Sequence, residues 1–179
     1  MGEIKSTLDL VMEKTKNLSL SDEERQGQKN KEIESRIRGL LQKFYDQALS
    51  VDKLRSEYQK LQKDYDLMGT QNEPLIKEIC SQIELGKDNH AFFDLLTRFK
   101  VTDIEGISSV LHEFDVVINA AARKQSKILQ AKLAKEHFIS GPAVVPNLEA
   151  DKAWQEQAGE IRAEFEPLLN QAKTKLLTA

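Results

Sequence analysis

The sequence predicts an all-α protein: an elongated helical bundle with coiled-coil packing, three long helices, short helices at one end and an N-terminal helical arm. Three observations support this fold class. The 179 residues include only eight glycines and four prolines, while 31 % are charged and 6 % aromatic. So few helix breakers among so many charged residues favour long, solvated helices. The other two observations are a heptad repeat and the positions of the prolines.

The first 20 residues predict a helical arm. Apolar side chains recur there at helical spacing and form a narrow stripe, which is a candidate partner interface: Ile4, Leu8, Val11 and Leu18. Residues 21–32 contain no apolar side chain, so the arm is joined to the rest by a polar segment. Ser21 and Glu24 have the spacing of a capping box, which predicts that a helix begins there.

Residues 33–68 carry the clearest periodic signal. Eleven positions alternate four and three residues apart, and ten of them are apolar or aromatic: Ile33, Ile37, Leu40, Phe44, Gln47, Val51, Leu54, Tyr58, Leu61, Tyr65 and Met68. This repeat predicts one helix over about 22–68 in a left-handed supercoil. Gln47, the one polar position, either sets the register or reaches water.

The prolines at 74, 142, 146 and 167 divide the remainder. We expect short helices over about 73–86 and 89–100, and long helices over about 102–138 and 147–177, with a loop at residues 140–146. Asn147 is the expected cap of the last helix. Pro167 should kink or split that helix. The predicted organisation is therefore an arm over 1–20 and a single bundle over 21–179.

Composition excludes several classes of protein. The net charge of −3 argues against a strongly basic nucleic-acid binder. No stretch approaches the roughly 18 apolar residues of a membrane span, and the N-terminus lacks the apolar block of a secretory signal. Cys80 is the single cysteine and lies among isoleucines, so we expect a small core residue. These features predict a cytoplasmic protein.

Motifs for catalysis are weak. Neither a glycine-rich phosphate loop nor a Glu-x-x-His pair occurs in the sequence. Ser109, His112 and Asp115 have a triad-like spacing on one predicted helix. Mid-helix N–H groups are already hydrogen-bonded and cannot form an oxyanion hole, so we expect a polar helix surface there. His90, beside Asp88 and Asp94, is expected to be a surface histidine. The sequence thus predicts no enzyme, no cofactor and no metal site.

The strongest charge feature is a basic helix face at residues 123–135. Five cations occur there, offset only by the adjacent Glu136: Arg123, Lys124, Lys127, Lys132 and Lys135. The last helix is acidic, so folding the two helices back on each other should pair the opposite charges internally. The alternative is that the basic face contacts an external anion.

Three functions remain, in order of preference. The first is a non-enzymatic scaffold or adaptor that binds a protein partner or itself, as a homodimer, through the 33–68 repeat or the arm. The second, less favoured, is binding of nucleic acid or an anionic membrane by the basic face. The third is a small-ligand carrier or enzyme with an aromatic pocket formed by Phe92, Phe93, Phe99 and Trp154. No small-molecule substrate is identified.

Overall fold

The computed structural model describes residues 21–67, 69, 72–101 and 103–178. These residues form six α-helices, one 3-10 turn and no β-strand, so the predicted all-α class is confirmed. The chain divides near residue 70 into two compact units, whereas the sequence predicts a single bundle over 21–179. The predicted arm at 1–20, with Ile4, Leu8, Val11 and Leu18, lies outside the described residues. Coiled-coil packing stays a prediction.

The first unit contains α1 (Asp22–Tyr45) and α2 (Val51–Asp64), which pack against each other. The predicted capping box at the start of α1 is confirmed. The Ser21 hydroxyl accepts from the Glu24 backbone N–H at 3.2 Å, and the Glu24 carboxylate accepts from the Ser21 N–H at 2.8 Å. Two donors that the helix itself cannot satisfy are therefore bonded, which begins α1 at Asp22.

The prediction of one helix over 22–68 is wrong, because the chain turns at residues 46–50. Gln47, the polar position in the repeat, has a positive φ of 58°, and the N–H groups of Ala48 and Leu49 both donate to the Lys43 carbonyl. The Ser50 side chain then caps α2. Apolar side chains of both helices are buried within the unit: Ile33, Ile37, Leu41, Leu54, Tyr58 and Leu61.

A polar cluster ties the two helices of this hairpin together. The Tyr65 hydroxyl donates to the Glu32 carboxylate, which also accepts from Arg36 Nη2 at 2.9 Å. The Arg36 guanidinium lies 5.4 Å from the centre of the Tyr65 ring. These hydrogen bonds, first that of Tyr65 and then that of Arg36, lower the pKa of Glu32 below its ordinary value. The cluster thus holds residue 32 beside residue 65, as an antiparallel hairpin requires.

The second unit contains the remaining helices. They are α3 (Glu73–Ser81), α4 (His90–Arg98), α5 (Glu105–His137) and α6 (Lys152–Thr178), with a 3-10 turn at Leu148–Ala150 before α6. The helices α3, α4 and α5 lie within their predicted ranges, whereas α6 begins five residues after the predicted start at 147 and ends one residue after the predicted end at 177. Asn147 makes no capping bond. Asp151 caps α6 instead, because its Oδ2 accepts from the Trp154 N–H at 3.0 Å.

The core of this unit comes from every helix and from the loop between α3 and α4. Its buried apolar side chains are Leu75, Ile79, Cys80, Ile83, Leu85, Leu95, Leu96, Phe99, Ile107, Leu111, Phe114, Leu169 and Leu176. Cys80 is a buried core residue, as predicted. Two cations of α6 fasten the loop after α3: Lys173 Nζ donates to the Ile83 carbonyl at 2.6 Å, and Arg162 Nη1 donates to the Leu85 carbonyl at 3.1 Å.

Pro167 does not split the last helix, and that part of its prediction is wrong. The residue lies inside α6, which is a single element from Lys152 to Thr178. Leu169 and Leu176, beyond the proline, are buried in the core together with residues of the preceding helices. Pro167 itself is exposed, so water can satisfy the carbonyl that loses its intrahelical donor. Apolar packing on the opposite face offsets the missing hydrogen bond.

Candidate functional site

The helices α5 and α6 form an antiparallel hairpin, and this hairpin carries most of the sequence-predicted site residues. The Phe114 and Phe165 rings meet edge to face with centroids 5.7 Å apart. Nearer the turn, Gln125 Nε2 donates to Asp151 Oδ2 at 2.7 Å. The apolar stripes of the two helices face each other between these contacts. The charged side chains are consequently placed on the remaining faces.

All five cations of the predicted basic face are exposed: Arg123, Lys124, Lys127, Lys132 and Lys135. Among the described residues, none of them lies within 4.0 Å of a carboxylate. At about 100° per residue, three of them lie within an arc of about 100° on the side of α5 away from its apolar stripe. We call these three, Arg123, Lys124 and Lys127, the basic patch.

The carboxylates of α6 are arranged in a matching way. Glu156, Glu160 and Glu164 are exposed and follow one another at i, i+4 and i+8, within an arc of about 80° opposite the apolar face of α6. We call these three residues the acidic stripe. They make no ion pair within the described residues either.

The prediction of internal pairing between the basic and acidic helices is therefore wrong. The helices do pack as a hairpin, but their apolar stripes form the contact and turn both sets of charges outward. On a helical wheel, Arg123 and Glu160 lie away from the apolar stripes of their helices, so the sequence already indicates that both side chains point away from the contact. Opposite net charges on two neighbouring helices do not by themselves bring the charged atoms together.

The triad-like residues do not form a catalytic arrangement. The Ser109 hydroxyl donates to the Glu113 carboxylate at 3.1 Å, one turn along α5. His112 and Asp115 instead line an open depression of about 370 Å³ that His90 also lines. Asp88, at its rim, accepts from the His90 backbone N–H at 2.9 Å and so caps α4. Two histidines thus meet on one surface, which the sequence did not indicate.

No metal cluster accompanies these histidines. Among residues 21–67, 69, 72–101 and 103–178, no group of three or more histidine, cysteine, aspartate or glutamate side chains is placed to hold a metal ion. Within the same ranges, no helix is long and apolar enough to cross a bilayer.

The aromatic pocket that a small-ligand carrier would need, from Phe92, Phe93, Phe99 and Trp154, does not form. Phe93 lines the depression beside residues 108–115 of α5. Trp154 lies one turn after Asp151, which bonds to Gln125. Ten or more residues of α5 separate the two places, which is about 15 Å at 1.5 Å per residue. Phe99 is buried in the core. The four aromatic side chains therefore do not share one cavity.

The loop that joins α5 to α6 exposes apolar side chains that the sequence pattern did not indicate as a site. Phe138, Ile139 and Val145 have 90 %, 50 % and 87 % of their surface exposed. A second depression, of about 260 Å³, lies beside them and is lined by Leu129, Lys132, Leu133, His137, Pro146, Asn147, Ala150 and Asp151. The signal was a Phe-Ile pair directly after the last basic turn of a helix and before a Ser-Gly-Pro loop.

Comparisons with known proteins return no relationship: no family model, no curated protein and no solved structure matches this chain significantly.

Proposed function

We propose that this protein is a non-enzymatic helical scaffold of the cytoplasm that binds a second copy of itself through the α5/α6 hairpin. One observation carries the proposal: the hairpin displays a basic patch and an acidic stripe that are both exposed and both unpaired within the described residues. A second copy offers the complementary charge to each of them. The cytoplasmic placement is supported by the buried, single Cys80, which has no partner for an internal disulfide.

The geometry favours a symmetric pair. The basic patch of one copy would face the acidic stripe of the other, and the two-fold axis would generate the same contact a second time. The acidic stripe is about 12 Å long from Glu156 to Glu164, and the basic patch spans about 6 Å of α5 from Arg123 to Lys127. Val116, 56 % exposed, lies two turns before Arg123 on the same outward face and can bury apolar surface in the contact.

The heptad repeat at 33–68 is not used in this proposal. Five of its positions, Ile33, Ile37, Leu54, Tyr58 and Leu61, are buried inside the first unit, so they are not available as a coiled-coil seam for a partner. The arm stripe lies outside the described residues and remains a second candidate interface.

Charge reversal tests the proposal directly. The double variant Arg123→Glu/Lys127→Glu should be monomeric in sedimentation velocity, and Glu160→Lys/Glu164→Lys should be monomeric as well. Each exposed pair contributes roughly 0.5 kcal/mol, and two-fold symmetry counts every contact twice. Replacing attraction by repulsion in two positions should thus weaken dimerisation more than about a hundredfold.

Mixing the two variants provides the decisive measurement. In the mixture every contact again joins opposite charges, so a heterodimer should form. Lys53→Glu/Lys63→Glu, exposed and on α2, is the matched control for Arg123→Glu/Lys127→Glu, because it changes the net charge by the same amount, and it should dimerise normally. A monomeric wild-type protein at high concentration, or variants that dimerise like the wild type, would refute the proposal.

The same measurements address nucleic-acid binding by the basic face. If wild-type protein is monomeric and is retained on DNA or RNA in a salt-sensitive way that Arg123→Glu/Lys127→Glu abolishes, the cations bind phosphate and self-association is overturned. The structure favours self-association, because the acidic stripe of the same hairpin would repel a phosphate backbone.

A further inference from the structure

The turn of the α5/α6 hairpin has an unusual surface. We call residues 138–145, which follow α5, the tip. Its three large apolar side chains, Phe138, Ile139 and Val145, are at least half exposed, and two of them are almost fully so. Single exposed apolar residues are common on protein surfaces, but three on one short loop form a patch that marks an interaction site.

The tip is held in place by hydrogen bonds, so the exposure follows from its backbone. The N–H groups of Phe138 and Ile139 both donate to the Leu133 carbonyl. Gln130 Nε2 donates to the Val144 carbonyl at 2.9 Å, and the Val144 N–H donates to the Gly141 carbonyl at 3.2 Å. Pro146, the next residue, is buried. These bonds place Phe138 and Val145 outward.

Phe138 also occupies a strained backbone position. Its φ of 57° lies in the left-handed region at the C-terminal cap of α5, where glycine is the usual residue. The Phe138 side chain thus lowers the stability of the folded protein and is surrounded by water. Such a combination is expected when the side chain has a use in another contact.

Charges of both signs flank the tip in sequence. Lys132 and Lys135 precede it together with Glu136, and Lys152 follows it together with Glu149 and Asp151. Lys132 and Lys135 lie in the last turns of α5. Lys132 and His137 line the depression of about 260 Å³, whose apolar side is formed by Leu129, Leu133 and Pro146. Asp151 also lines it, but its Oδ2 already accepts from Gln125 and Trp154.

We propose that the tip, with Lys132 and Lys135, docks this protein on the surface of an anionic lipid bilayer. Interfacial binding requires two kinds of side chain. Apolar side chains enter the boundary between the head groups and the acyl chains, and neighbouring lysines attract the anionic head groups. A phosphate backbone alone would leave Ile139 and Val145 exposed to water.

This inference does not depend on the proposed self-association, since Phe138 lies about 16 Å along α5 from Lys127. The two proposals can therefore fail separately. Sedimentation velocity of every tip variant should show the association state of the wild-type protein.

The test is co-sedimentation of the full chain with phosphatidylcholine vesicles containing about 30 % phosphatidylserine, compared with vesicles of phosphatidylcholine alone. Wild-type protein should bind the anionic vesicles at least tenfold more tightly, and binding should weaken as salt is raised to about 0.5 M. Lys132→Glu/Lys135→Glu should lose at least tenfold in affinity. Lys53→Glu/Lys63→Glu should bind like the wild type.

Phe138→Gly separates the membrane contact from folding. Glycine relieves the left-handed backbone, so the melting temperature should stay the same or rise by about 3 °C while vesicle binding falls at least tenfold. Val145→Ser should have the same effect on binding. Leu168→Ser, an exposed apolar position on α6, is the control and should bind vesicles normally.

Three results would overturn the proposal. The first is wild-type protein that does not prefer anionic vesicles. The second is binding that Phe138→Gly and Val145→Ser leave unchanged, which would indicate a purely electrostatic contact such as one with nucleic acid. The third is a tip variant that changes the association state and leaves vesicle binding intact, which would assign the tip to a protein contact.

Discussion

Gly86 and Gly159 should respond in opposite directions to the same substitution by alanine. Gly86 lies in the loop between α3 and α4 with a φ of +70°, and a Cβ added there would lie 3.3 Å from Cε1 of the buried Phe114 ring. Gly159 lies inside α6, where an added Cβ would have no neighbour within 4 Å. At Gly86 the added methyl group causes backbone strain and a close contact, whereas at Gly159 it changes only the helix propensity.

The magnitudes follow from these geometries. The left-handed conformation costs an alanine about 1–2 kcal/mol, and reduced freedom of the unfolded chain returns about 0.5 kcal/mol. The Phe114 ring must also shift by a few tenths of an ångström. We expect Gly86→Ala to lower the free energy of unfolding by about 1–2 kcal/mol. Gly159→Ala should raise it by about 0.5–1 kcal/mol.

Urea unfolding followed by circular dichroism measures both values, and the slope with urea should be unchanged. The Gly159→Ala variant serves as the control for any general effect of an added methyl group. Equal effects in the two variants, or a stabilised Gly86→Ala protein, would refute the described conformation of the loop.

Two further predictions concern α6 and the core. Asp151→Ala should destabilise the protein by about 1–2 kcal/mol, because one carboxylate oxygen both caps α6 and accepts a hydrogen bond from Gln125. Gln125→Ala removes only the second of these bonds and should destabilise the protein less. Equal destabilisation by the two variants would exclude the capping role of Asp151. Burial raises the pKa of Cys80 to about 11 from an ordinary 9.0, so the folded state keeps this proton longer than the unfolded state. The resulting contribution to stability is complete below pH 9 and is lost as the pH rises through 11. Cys80→Ala should therefore show a shallower fall in unfolding free energy between these pH values, and parallel curves for the two proteins would contradict the burial of the thiol.

Local patterns predicted individual helices well. The Ser21–Glu24 capping box begins α1 as expected, and the apolar stripes of α5 and α6 are the faces that pack together. Such signals are readable because they depend on neighbours three and four residues apart, whose positions are set by helix geometry alone.

The turn at residues 46–50 could not be read from the heptad repeat. A 4-3 alternation counts residues and is the same for one straight helix and for two helices folded on each other. Burial of Ile37 against the same core as Leu54 within one chain requires no partner and favours the hairpin. Gln47 is the one polar position in the repeat, and it adopts the left-handed backbone conformation at this turn.

By itself the sequence determined the all-α class, the approximate limits of most helices, the burial of Cys80 and the presence of a basic helix followed by an acidic one. Tertiary structure alone decided where those helices fold back and which way their charges point. The physical reason is that apolar burial is strong and orients each helix, whereas exposed ion pairs contribute well under about 1 kcal/mol and follow that orientation. The basic patch, the acidic stripe and the exposed tip are consequences of packing the apolar stripes of α5 and α6 against each other.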